Sequence, residues 1–477
     1  MTPAERRASL SLATIFALRM LGLFLVLPVF ALEAAKYPGG DDPARVGLAM
    51  GIYGLTQALL QIPFGIASDW WGRKRVIIAG LLVFALGSWV AAWAADLNWL
   101  IAGRSLQGAG AISAAVTALL ADTTRDEVRT KAMALVGGSI ALMFALALVL
   151  APLLAGLVGL HGLFALTGLL AAAGIAVVLW WVPAEPLDHV GAPRGSVIEV
   201  LKNPALLRLD FGVFVLHAVQ LAMWITVPAL LVGAGLEQSR HWQVYLPAVL
   251  ASFLLMGLTL FPLERRGYLR AVFLTAVGLI FVVQLGLFGL SWPAGPNAGA
   301  SAPSLAAVCA LLLLFFCGFN VLEASQPSLA SRLAPAHARG AALGVYNTLQ
   351  SLGFFAGGAL GGWIVKLYGA QGLFAGCGVL MLLWLLVLAH EGARQEGPHV
   401  CRLAYYAAHR GRKFTLALRQ IPALATKRFE PSRRSSQLNS KNHAQENMSW
   451  HPSTKSSSSA IWAATPKCGH FQPAARW

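Results

Sequence analysis

One charged short stretch between apolar runs of the chain reads GIASDWWGRKR, residues 65–75. Asp69 and Arg73 are four residues apart, so on a helix their side chains would share one face and could form an ion pair. An acid–base pair that separates in one of two conformations supplies the energy difference that a two-state switch needs. Gly65 would allow close helix contact, and Gly72 would allow a turn. A second interpretation is that the bases only fix the orientation of the chain and that Asp69 offsets their charge.

Further charged side chains lie within or at the ends of apolar runs. Arg104 has Gln107 about one turn further along. A lone arginine in hydrocarbon costs at least about 2.5–3.5 kcal/mol, so we expect Arg104 to face the protein interior or water. Glu323 lies deep in a later run, and an acid at membrane depth is a candidate proton-binding group; alternatively it reaches the aqueous interface. Glu33 lies at the end of the first run, where it could simply be solvated.

Other polar side chains lie within the same runs. Tyr53, Gln57 and Gln61 follow one another at intervals of four and form one stripe, which would either line a cavity or bond neighbouring helices. His217 could titrate near neutral pH, although a single histidine in a membrane helix is more often a structural hydrogen-bonding residue. The predicted cavity residues are Arg19, Tyr53, Gln57, Gln61, Gln107, His217, Asn320, Asn347 and Gln350.

The composition assigns these residues to a membrane protein. Only 12% of the 477 residues are charged and 57% are hydrophobic, and apolar runs of about 20 residues recur from residue 10 to residue 389. Each run is long enough to cross about 30 Å of hydrocarbon as a helix. The net charge of +16 does not indicate nucleic-acid binding, because the last 87 residues alone hold 14 Lys/Arg against 4 Asp/Glu. We therefore predict an all-α integral membrane protein.

Breaks at charged residues, glycines and prolines predict twelve transmembrane helices, six on each side of a long polar connector. This division predicts an N-terminal six-helix bundle over 1–182, a cytoplasmic linker over 183–208, a C-terminal six-helix bundle over 209–390 and a basic tail over 391–477. The predicted spans are 12–32, 46–66, 76–95, 100–121, 132–156, 163–182, 209–234, 243–262, 271–292, 304–329, 341–366 and 371–390.

The basic residues of the connectors predict the orientation in the membrane. With the N-terminus inside, sixteen Lys/Arg of the connectors face the cytoplasm and four face outward, in agreement with the positive-inside rule. Both termini would then be cytoplasmic. The first run has no small-residue cleavage site before Glu33, so we interpret it as a retained span and not as a cleaved signal peptide. We expect a multi-pass protein of the plasma membrane, which is the inner membrane in a bacterium.

The two halves of the apolar region contain similar sequence motifs in the same order. SDWWGRKR after the second span recurs as LERRGYLR after the eighth, and RTKAMAL before the fifth recurs as RGAALGV before the eleventh. The offsets of about 195 and about 210 residues agree with a duplicated six-helix unit. Many transporters build a central site from such repeats, between two halves that rock against each other.

These motifs resemble those of a known family. Gly65-x-x-x-Asp69-x-x-Gly72-Arg73-Lys74 is similar to the signature between spans 2 and 3 of the major facilitator superfamily. LIAGRSLQGAGAISAAVTALLAD, residues 100–122, resembles its span-4 signature, and the likeness extends over almost all of residues 10–390. LRMLGLFLVLPVFALEA and HWQVYL resemble the YajR-type branch, related to bacterial proton-coupled drug-efflux transporters. The resemblance implies the major facilitator fold, with two bundles related by a pseudo-two-fold axis, and secondary active transport by alternating access.

The resemblance also implies roles for individual residues. In that family the acid and the first base of the connector form a charge cluster with an acid at the cytoplasmic end of span 4, and this cluster holds the outward-facing state and breaks on switching. By position, the switch residues are Gly65, Asp69, Gly72, Arg73, Lys74 and Asp122. The resemblance implies that Arg104 takes part in coupling protons to substrate, and Glu323 and Glu33 complete our candidate proton-coupling set.

One segment departs from the family pattern. Proton antiporters of this family carry a glycine-rich motif ending in Gly-Pro in span 5, whereas this chain has Ala151-Pro152 and also Ala147 at another glycine position. Pro152 would still bend the helix. Efflux of small, drug-like or lipophilic molecules in exchange for protons is the favoured function, and a proton symporter or a uniporter for a small metabolite stays open.

Several other classes of function lack their sequence signals. The chain has no HExxH motif or paired membrane acids for catalysis, no GxxxxGK[ST] loop for nucleotide-driven transport, and no Cys/His spacing for a metal. We expect no enzyme activity, no cofactor and no metal; the expected partners are a small molecule, protons and the lipid bilayer, and we expect a monomer. The basic, serine-rich tail after residue 396 is predicted to be disordered and is either a functional tail or a shifted reading frame.

Overall fold

The computed structural model describes residues 1–184, 197–291 and 303–420, with side chains up to residue 390 except those of Asp126, Thr130, Phe261 and Ala336. These described residues form helices and no strands, so the all-α prediction is confirmed. The chain divides into two units, Met1–Glu391 and Gly392–Trp477. Parts of the predicted linker (185–196) and of the predicted tail (421–477) lie outside the described residues.

The N-terminal half of the sequence contains seven helices that begin and end at recognisable signals. Thr2 and Glu5 form a capping box at the start of the first. Asp42 caps the third by accepting the N–H of Ala44, and Pro43 stands at its first position. The helices are α1 (Pro3–Val26), α2 (Phe30–Ala34), α3 (Pro43–Trp71), α4 (Arg73–Ala92), α5 (Leu97–Ala109), α6 (Ser113–Asp122) and α7 (Asp126–Trp180).

The described residues of the C-terminal half form six α-helices. The second of them begins inside the predicted linker, because Asn203 caps it and Pro204 occupies its first position. The helices are α8 (Val197–Lys202), α9 (Pro204–Gly233), α10 (Trp242–Arg265), α11 (Leu269–Leu290), α12 (Leu305–Leu333) and α13 (Arg339–Gln420).

Nine helices among the described residues are long and apolar enough to cross a membrane. Two of them, α7 and α13, each cover two of the predicted spans. Large apolar side chains such as Leu82, Leu157 and Leu254 lie on exposed surfaces, as expected where lipid and not water surrounds the helices.

Two predicted spans differ from the structure in continuity. The first run, predicted over 12–32, is interrupted between α1 and α2 by residues 27–29. The fourth, predicted over 100–121, is broken at Gly110–Ile112 between α5 and α6. At this break, the carbonyl of Gly110 accepts the N–H of Ile112 and also a guanidinium N–H from Arg19. The interruption is therefore compensated by a side chain that hydropathy alone does not reveal.

The predicted repeat has a counterpart in the backbone. α7 is kinked at Gly159 (φ 63°, ψ −171°) and α13 at Gly369 (φ 68°, ψ −171°). The two glycines have nearly the same dihedral angles. They are about 210 residues apart, which is also the offset between the motifs RTKAMAL and RGAALGV. A side chain is strained at this positive φ, so glycine marks the same turn in each half.

The two halves meet along α3 and α13. A Cβ atom on Gly47 would collide with Gly358 and Gly362, and one on Gly54 would collide with Ser351, so the two backbones are in close contact. The order of these contacts makes α3 and α13 antiparallel. Asp42 therefore lies at one end of the bundle, the Asp42 end, and Gly72 and the start of α13 lie at the other, the Gly72 end.

Candidate functional site

The charged connector forms the predicted acid–base cluster at the Gly72 end. Arg73, at the start of α4, makes an ion pair with Asp69 of α3. Its Nε also lies 3.2 Å from Oδ2 of Asp122 at the end of α6, and its Nη1 donates to Ser68 Oγ at 2.7 Å. One guanidinium therefore joins the ends of three helices of the N-terminal half.

The other switch residues have separate structural roles. Gly72 joins α3 to α4 with φ 92°, a backbone conformation that only glycine adopts without strain. Lys74 Nζ donates to the carbonyl of Val182 at 2.7 Å, which ties the connector to the end of α7. Gly65 faces Ala114, and a Cβ added at Gly65 would lie 3.6 Å from that methyl group. Close packing therefore does not require a glycine at position 65 in this conformation, contrary to the sequence argument.

The interior of the N-terminal half contains two buried arginines, the first of which is Arg19, only 1% exposed. Its Nη2 donates to the hydroxyl of Tyr53 at 2.9 Å, and its Nη1 donates to Ser113 Oγ at 3.0 Å. The guanidinium also lies 5.6 Å from the ring centre of Phe84, which favours the cation through the ring's negative face.

The second buried arginine, Arg104, is 2% exposed. Its Nη1 donates to Gln107 Oε1 at 2.9 Å, and Gln107 Nε2 in turn donates to Ser88 Oγ at 2.8 Å. The guanidinium lies 5.0 Å from the ring centre of Tyr53. Tyr53 therefore contacts both arginines, one through its hydroxyl and the other through its ring. Ser88 and Ser113 were not candidates from the sequence, because a serine in an apolar run gives no signal of its own.

No carboxylate among the described residues lies within ion-pair distance of Arg19 or Arg104. Their positive charges are stabilised by neutral oxygens and aromatic rings instead. An interior with uncompensated positive charge attracts anions and repels cations, including protons. The two side chains thus give the N-terminal half a positive interior.

The C-terminal half brings together three predicted residues, from α9, α12 and α13. His217 Nδ1 lies 2.8 Å from the carbonyl of Val213, and a carbonyl can only accept, so Nδ1 carries a proton. His217 Nε2 lies 3.1 Å from Glu323 Oε2 and 2.7 Å from Gln350 Nε2. An amide nitrogen can only donate, so beside Gln350 Nε2 the His217 Nε2 is an acceptor, and a proton shared with Oε2 lies on Glu323. Transfer of that proton to Nε2 would require the Gln350 amide to turn. The pair can therefore hold one exchangeable proton.

A further titratable side chain in the interior of this half, Asp210 of α9, was missed at the sequence level. It is 4% exposed, and its Oδ2 is buried with no hydrogen-bond partner among the described residues. Tyr346 of α13 is also buried, and it lies within electrostatic range of both Asp210 and Glu323. Asp210 stands only two residues from Arg208, next to the charged linker, so its position in the sequence is typical of a solvated helix end.

The remaining predicted cavity residues are dispersed. Gln61 is fully buried, whereas Gln57 is half-buried, so the predicted polar stripe on α3 does not have one common environment. Asn320 is buried and donates to Ser252 Oγ at 2.6 Å, which joins α12 to α10. Asn347 is half-buried on α13.

Glu33, a proton-coupling candidate, is buried at the Asp42 end, which excludes the alternative that it is simply solvated in this conformation. Its carboxylate lies 2.6 Å from Lys36 Nζ and accepts from Gln238 Nε2 at 3.1 Å. Gln238 belongs to the C-terminal half, and this contact replaces water as the partner of Glu33. The burial of Tyr37 and, as the smaller cause, the negative charge of Glu33 raise the pKa of Tyr37 to about 12.

A second contact between the halves lies at the same end. Lys366 Nζ of α13 lies 2.7 Å from Asp42 Oδ2. The hydrogen bond from Lys366 holds the pKa of Asp42 below its ordinary value of 3.8. At the Gly72 end, by contrast, added Cβ atoms on Gly340 and Gly344 at the start of α13 would meet no described atom within 4 Å.

The C-terminal half has a counterpart of the connector cluster with the charges exchanged. α10 ends at Arg265, and Gly267 follows with φ 82°. Glu264 accepts from Arg332 Nη2 of α12 at 2.8 Å. In the N-terminal half, the connector supplies the base (Arg73) and the end of the fourth span supplies the acid (Asp122). In the C-terminal half, the connector supplies the acid (Glu264) and the end of α12 supplies the base (Arg332).

Comparison with known proteins identifies relatives along most of the chain. The sequence profile described as the Major Facilitator Superfamily matches residues 12–358. The inner membrane transport protein YajR of Escherichia coli is 43% identical over 84% of this chain and 86% of its own length. The multidrug resistance protein MdtH of Aeromonas salmonicida is 27% identical over 77% of this chain and 90% of its own. A crystal structure of the nucleoside transporter NupG superposes with a TM-score of 0.64 and 14% identity over 80% of this chain and 99% of its own.

Proposed function

Because the chain belongs to the major facilitator superfamily of membrane transporters, we propose that it works by alternating access and exports small molecules in exchange for protons. The family and its transporter relatives confirm the expectation of a multi-pass inner membrane transporter and not an enzyme. Proton coupling, the direction of transport and the class of substrate are the parts that we propose.

The contact between His217 and Glu323 is the observation that supports the proposal of proton coupling. Their Nε2 and Oε2 atoms lie 3.1 Å apart with Gln350 on the same nitrogen. A group that couples transport to protons must bind a proton and release it, and the Glu323 carboxyl has the imidazole of His217 beside it to receive one. The buried positive charges of Arg19 and Arg104 on the other half favour the carboxylate form of Glu323 whenever the halves bring them nearer.

Alternating access requires two arrangements of the halves. The contacts between α3 and α13, together with Asp42–Lys366 and Glu33–Gln238, support a conformation that is closed at the Asp42 end. We propose that the other conformation closes the Gly72 end, where the Asp69 carboxylate would meet the positive N-terminus of α13. Arg73 holds Asp69 and Asp122 in place for that contact.

The substrate that we propose is small and drug-like or lipophilic. The multidrug resistance protein MdtH matches this chain over most of both lengths, which supports that class at the level of a family branch. The described helix interiors are mostly apolar, and an apolar interior with a few polar side chains suits such a molecule.

A symporter or uniporter for a small metabolite is the second candidate. Ala147 and Ala151 of α7 are both fully buried, so methyl groups occupy positions where proton antiporters of this family carry glycine. These methyl groups would restrict how closely a neighbouring helix approaches α7.

We propose twelve membrane passes in two pseudo-two-fold-related bundles, over 1–182 and 209–390, with both termini cytoplasmic and a monomer as the working unit. The kinks at Gly159 and Gly369 divide α7 and α13 at the positions of predicted connectors, and α5 with α6 would form one broken span. Residues 183–208 would form the linker and 391–477 the tail.

Reconstitution tests the proposal. Purified protein in liposomes with a trapped pH-sensitive dye is exposed to a panel of drugs and metabolites, and proton movement is recorded. The proposal expects at least one compound to move protons in wild-type liposomes and not in those with Glu323→Gln. Movement of compounds without protons would instead support a uniporter.

A further inference from the structure

Asp210 is an acid in the interior of the C-terminal half that the His217–Glu323 pair does not use. It lies six residues into α9, about 9 Å from the start of the helix at 1.5 Å per residue. His217 is seven residues further along and therefore on the same face of the helix. The two titratable side chains thus lie one above the other, with Asp210 nearer the Gly72 end.

α13 runs beside this face of α9. An added Cβ on Gly353 would meet Phe214, and one on Gly357 would meet Ala218, so the two helices run in the same direction. One turn before these contacts, α9 carries Asp210 and α13 carries Gln350, which binds His217. Tyr346 is one further turn towards the Gly72 end.

The chemistry around Asp210 does not suit a carboxylate. Asp210 Oδ2 and Tyr346 Oη are both buried, with no hydrogen-bond partner among the described residues, and no ion pair of Asp210 occurs among them. Burying an unpaired carboxylate costs far more than burying the neutral acid. The two charged groups that act on Tyr346, Glu323 and Asp210, are both acidic.

The titratable and charged groups on the neighbouring elements supply no buried partner for the carboxylate either. On α9 itself, Arg208 lies nearer the helix start and is half-exposed, and His217 is already bonded to Val213, Glu323 and Gln350. Glu323 is contributed by α12 and Tyr346 by α13. The linker helix α8 contributes Glu199, which lies 3.0 Å from His337 Nε2, and the exposed Lys202.

We propose that Asp210 is a second proton-binding carboxyl, electrostatically coupled to Glu323 through the space that Tyr346 occupies. In the conformation closed at the Asp42 end it holds a proton as the neutral acid, and it releases that proton when the Gly72 end rearranges. This inference rests on the proposed proton coupling and extends it to a second site. A hard metal cation would need about six oxygen ligands, and the described residues contain no group of three His, Cys, Asp or Glu side chains that could hold one.

Infrared difference spectroscopy of the purified full-length chain tests the proposal without any substrate. A protonated carboxyl gives a C=O stretching band that a carboxylate lacks and that shifts in D₂O. We expect wild-type protein at neutral pH to show such a band, with a component that is lost in Asp210→Asn and kept in Glu323→Gln, because a protonated Glu323 would give a band of its own. Asp41→Asn, which changes an exposed carboxyl in the turn before α3, is the matched control and should leave the band unchanged.

Further variants separate a proton site from a structural role. Because an amide resembles the neutral acid, Asp210→Asn should keep the wild-type melting temperature. Asp210→Glu should restore a carboxyl band at a shifted frequency, and Glu323→Gln should shift the pH at which the Asp210 band appears. Persistence of the band in Asp210→Asn, or its absence from wild type between pH 5 and pH 8, would overturn the proposal.

A band that disappears on addition of sodium chloride but not of choline chloride would also overturn the proposal, in favour of a cation site.

The outcome of the infrared experiment is distinct from that of the transport assay. If proton-coupled transport fails but the Asp210 band is found, the second site stands without the transport mechanism, and the reverse result removes only the second site.

Discussion

Lys366 Nζ lies 2.7 Å from Asp42 Oδ2, and this ion pair joins the C-terminal half of the chain to the N-terminal half. Asp42 has two functions at once, because its other carboxylate oxygen accepts the N–H of Ala44 at 2.9 Å and caps α3. The helix that it caps continues directly into the glycine contacts with α13. The ion pair therefore stands at the end of the interface that must open if the halves rock.

Asp42→Asn should weaken closure of the Asp42 end without unfolding α3, because asparagine is an equally good N-cap. Spin labels at the exposed Trp99 and Tyr368, one in each half, would report the opening by pulsed electron paramagnetic resonance. We expect the distance distribution to extend to longer distances than in wild type, and Lys366→Met to give the same change. Asp41→Asn is the control. Identical distributions in wild type and Asp42→Asn would show that the ion pair does not hold this end closed.

The pH dependence of the same distance follows from the lowered pKa of Asp42. The hydrogen bond from Lys366 favours the carboxylate, so the contribution of the pair is present above the ordinary pKa of 3.8 and is lost only as the pH falls through the lowered value. Asp42 stays ionised between pH 8 and pH 5, so we expect the distribution of distances between the two spin labels to be unchanged over this range. Opening of this end in wild type between pH 7 and pH 5 would identify another titrating group as its cause.

Asp69→Asn should abolish transport while the protein stays folded in the membrane. The substitution removes one of the two carboxylates that bind Arg73 but leaves Asp122 at 3.2 Å, so the connector should keep its structure. We expect at least a tenfold loss of transport in vesicles, equivalent to about 1.4 kcal/mol, with normal amounts of folded protein. Asp96→Asn, which keeps an N-cap at the start of α5, is the control. Normal transport by Asp69→Asn would exclude the switch role.

The two glycines of the connector should respond differently to alanine. Gly72 has φ 92°, so Gly72→Ala places a side chain in a strained conformation and should destabilise the protein by about 1–2 kcal/mol. Gly65→Ala fits the space beside Ala114 and should leave the melting temperature unchanged. If position 65 packs more closely in the other conformation, Gly65→Ala should still reduce transport. Unchanged transport by Gly65→Ala would remove this residue from the switch.

Spacing and resemblance were sufficient to predict the connector cluster. Asp69 and Arg73 are local in sequence, and an i, i+4 pair needs only a helix to meet. Asp122 is 49 residues away from Arg73, and its role came from the family resemblance because no local rule connects the two. The structure brings all three together as expected.

The buried polar contacts could not be predicted in the same way. Glu33 has the sequence position of a solvated helix end and is buried because Gln238, about 205 residues away, covers it. Asp210 likewise follows a charged linker, and its burial depends on packing with α13, including Trp384 beside Gly212. Burial of a single polar residue depends on tertiary neighbours, and hydropathy along one helix contains no information about them.

The helix break at Gly110 also depends on a tertiary neighbour and could not be predicted from the sequence. Residues 100–121 are continuously helical by hydropathy, and the interruption between α5 and α6 is stable because Arg19, in another helix, binds the freed carbonyl at 3.3 Å. We expected Arg19 to face a cavity. Its contact with the carbonyl of Gly110 joins residues 91 positions apart in the sequence, and no local pattern predicts such a contact.

Solute accumulation driven by a pH gradient tests the central claim most directly. A compound found in the proton-movement screen is added to liposomes with an imposed difference of one pH unit, and its distribution is measured with wild type and with Glu323→Gln. Exchange for protons predicts accumulation on the more acidic side, up to about tenfold for one proton per molecule, and no gradient-driven accumulation with Glu323→Gln. Accumulation on the alkaline side would show symport, and equal concentrations on both sides would show that transport is not coupled to protons.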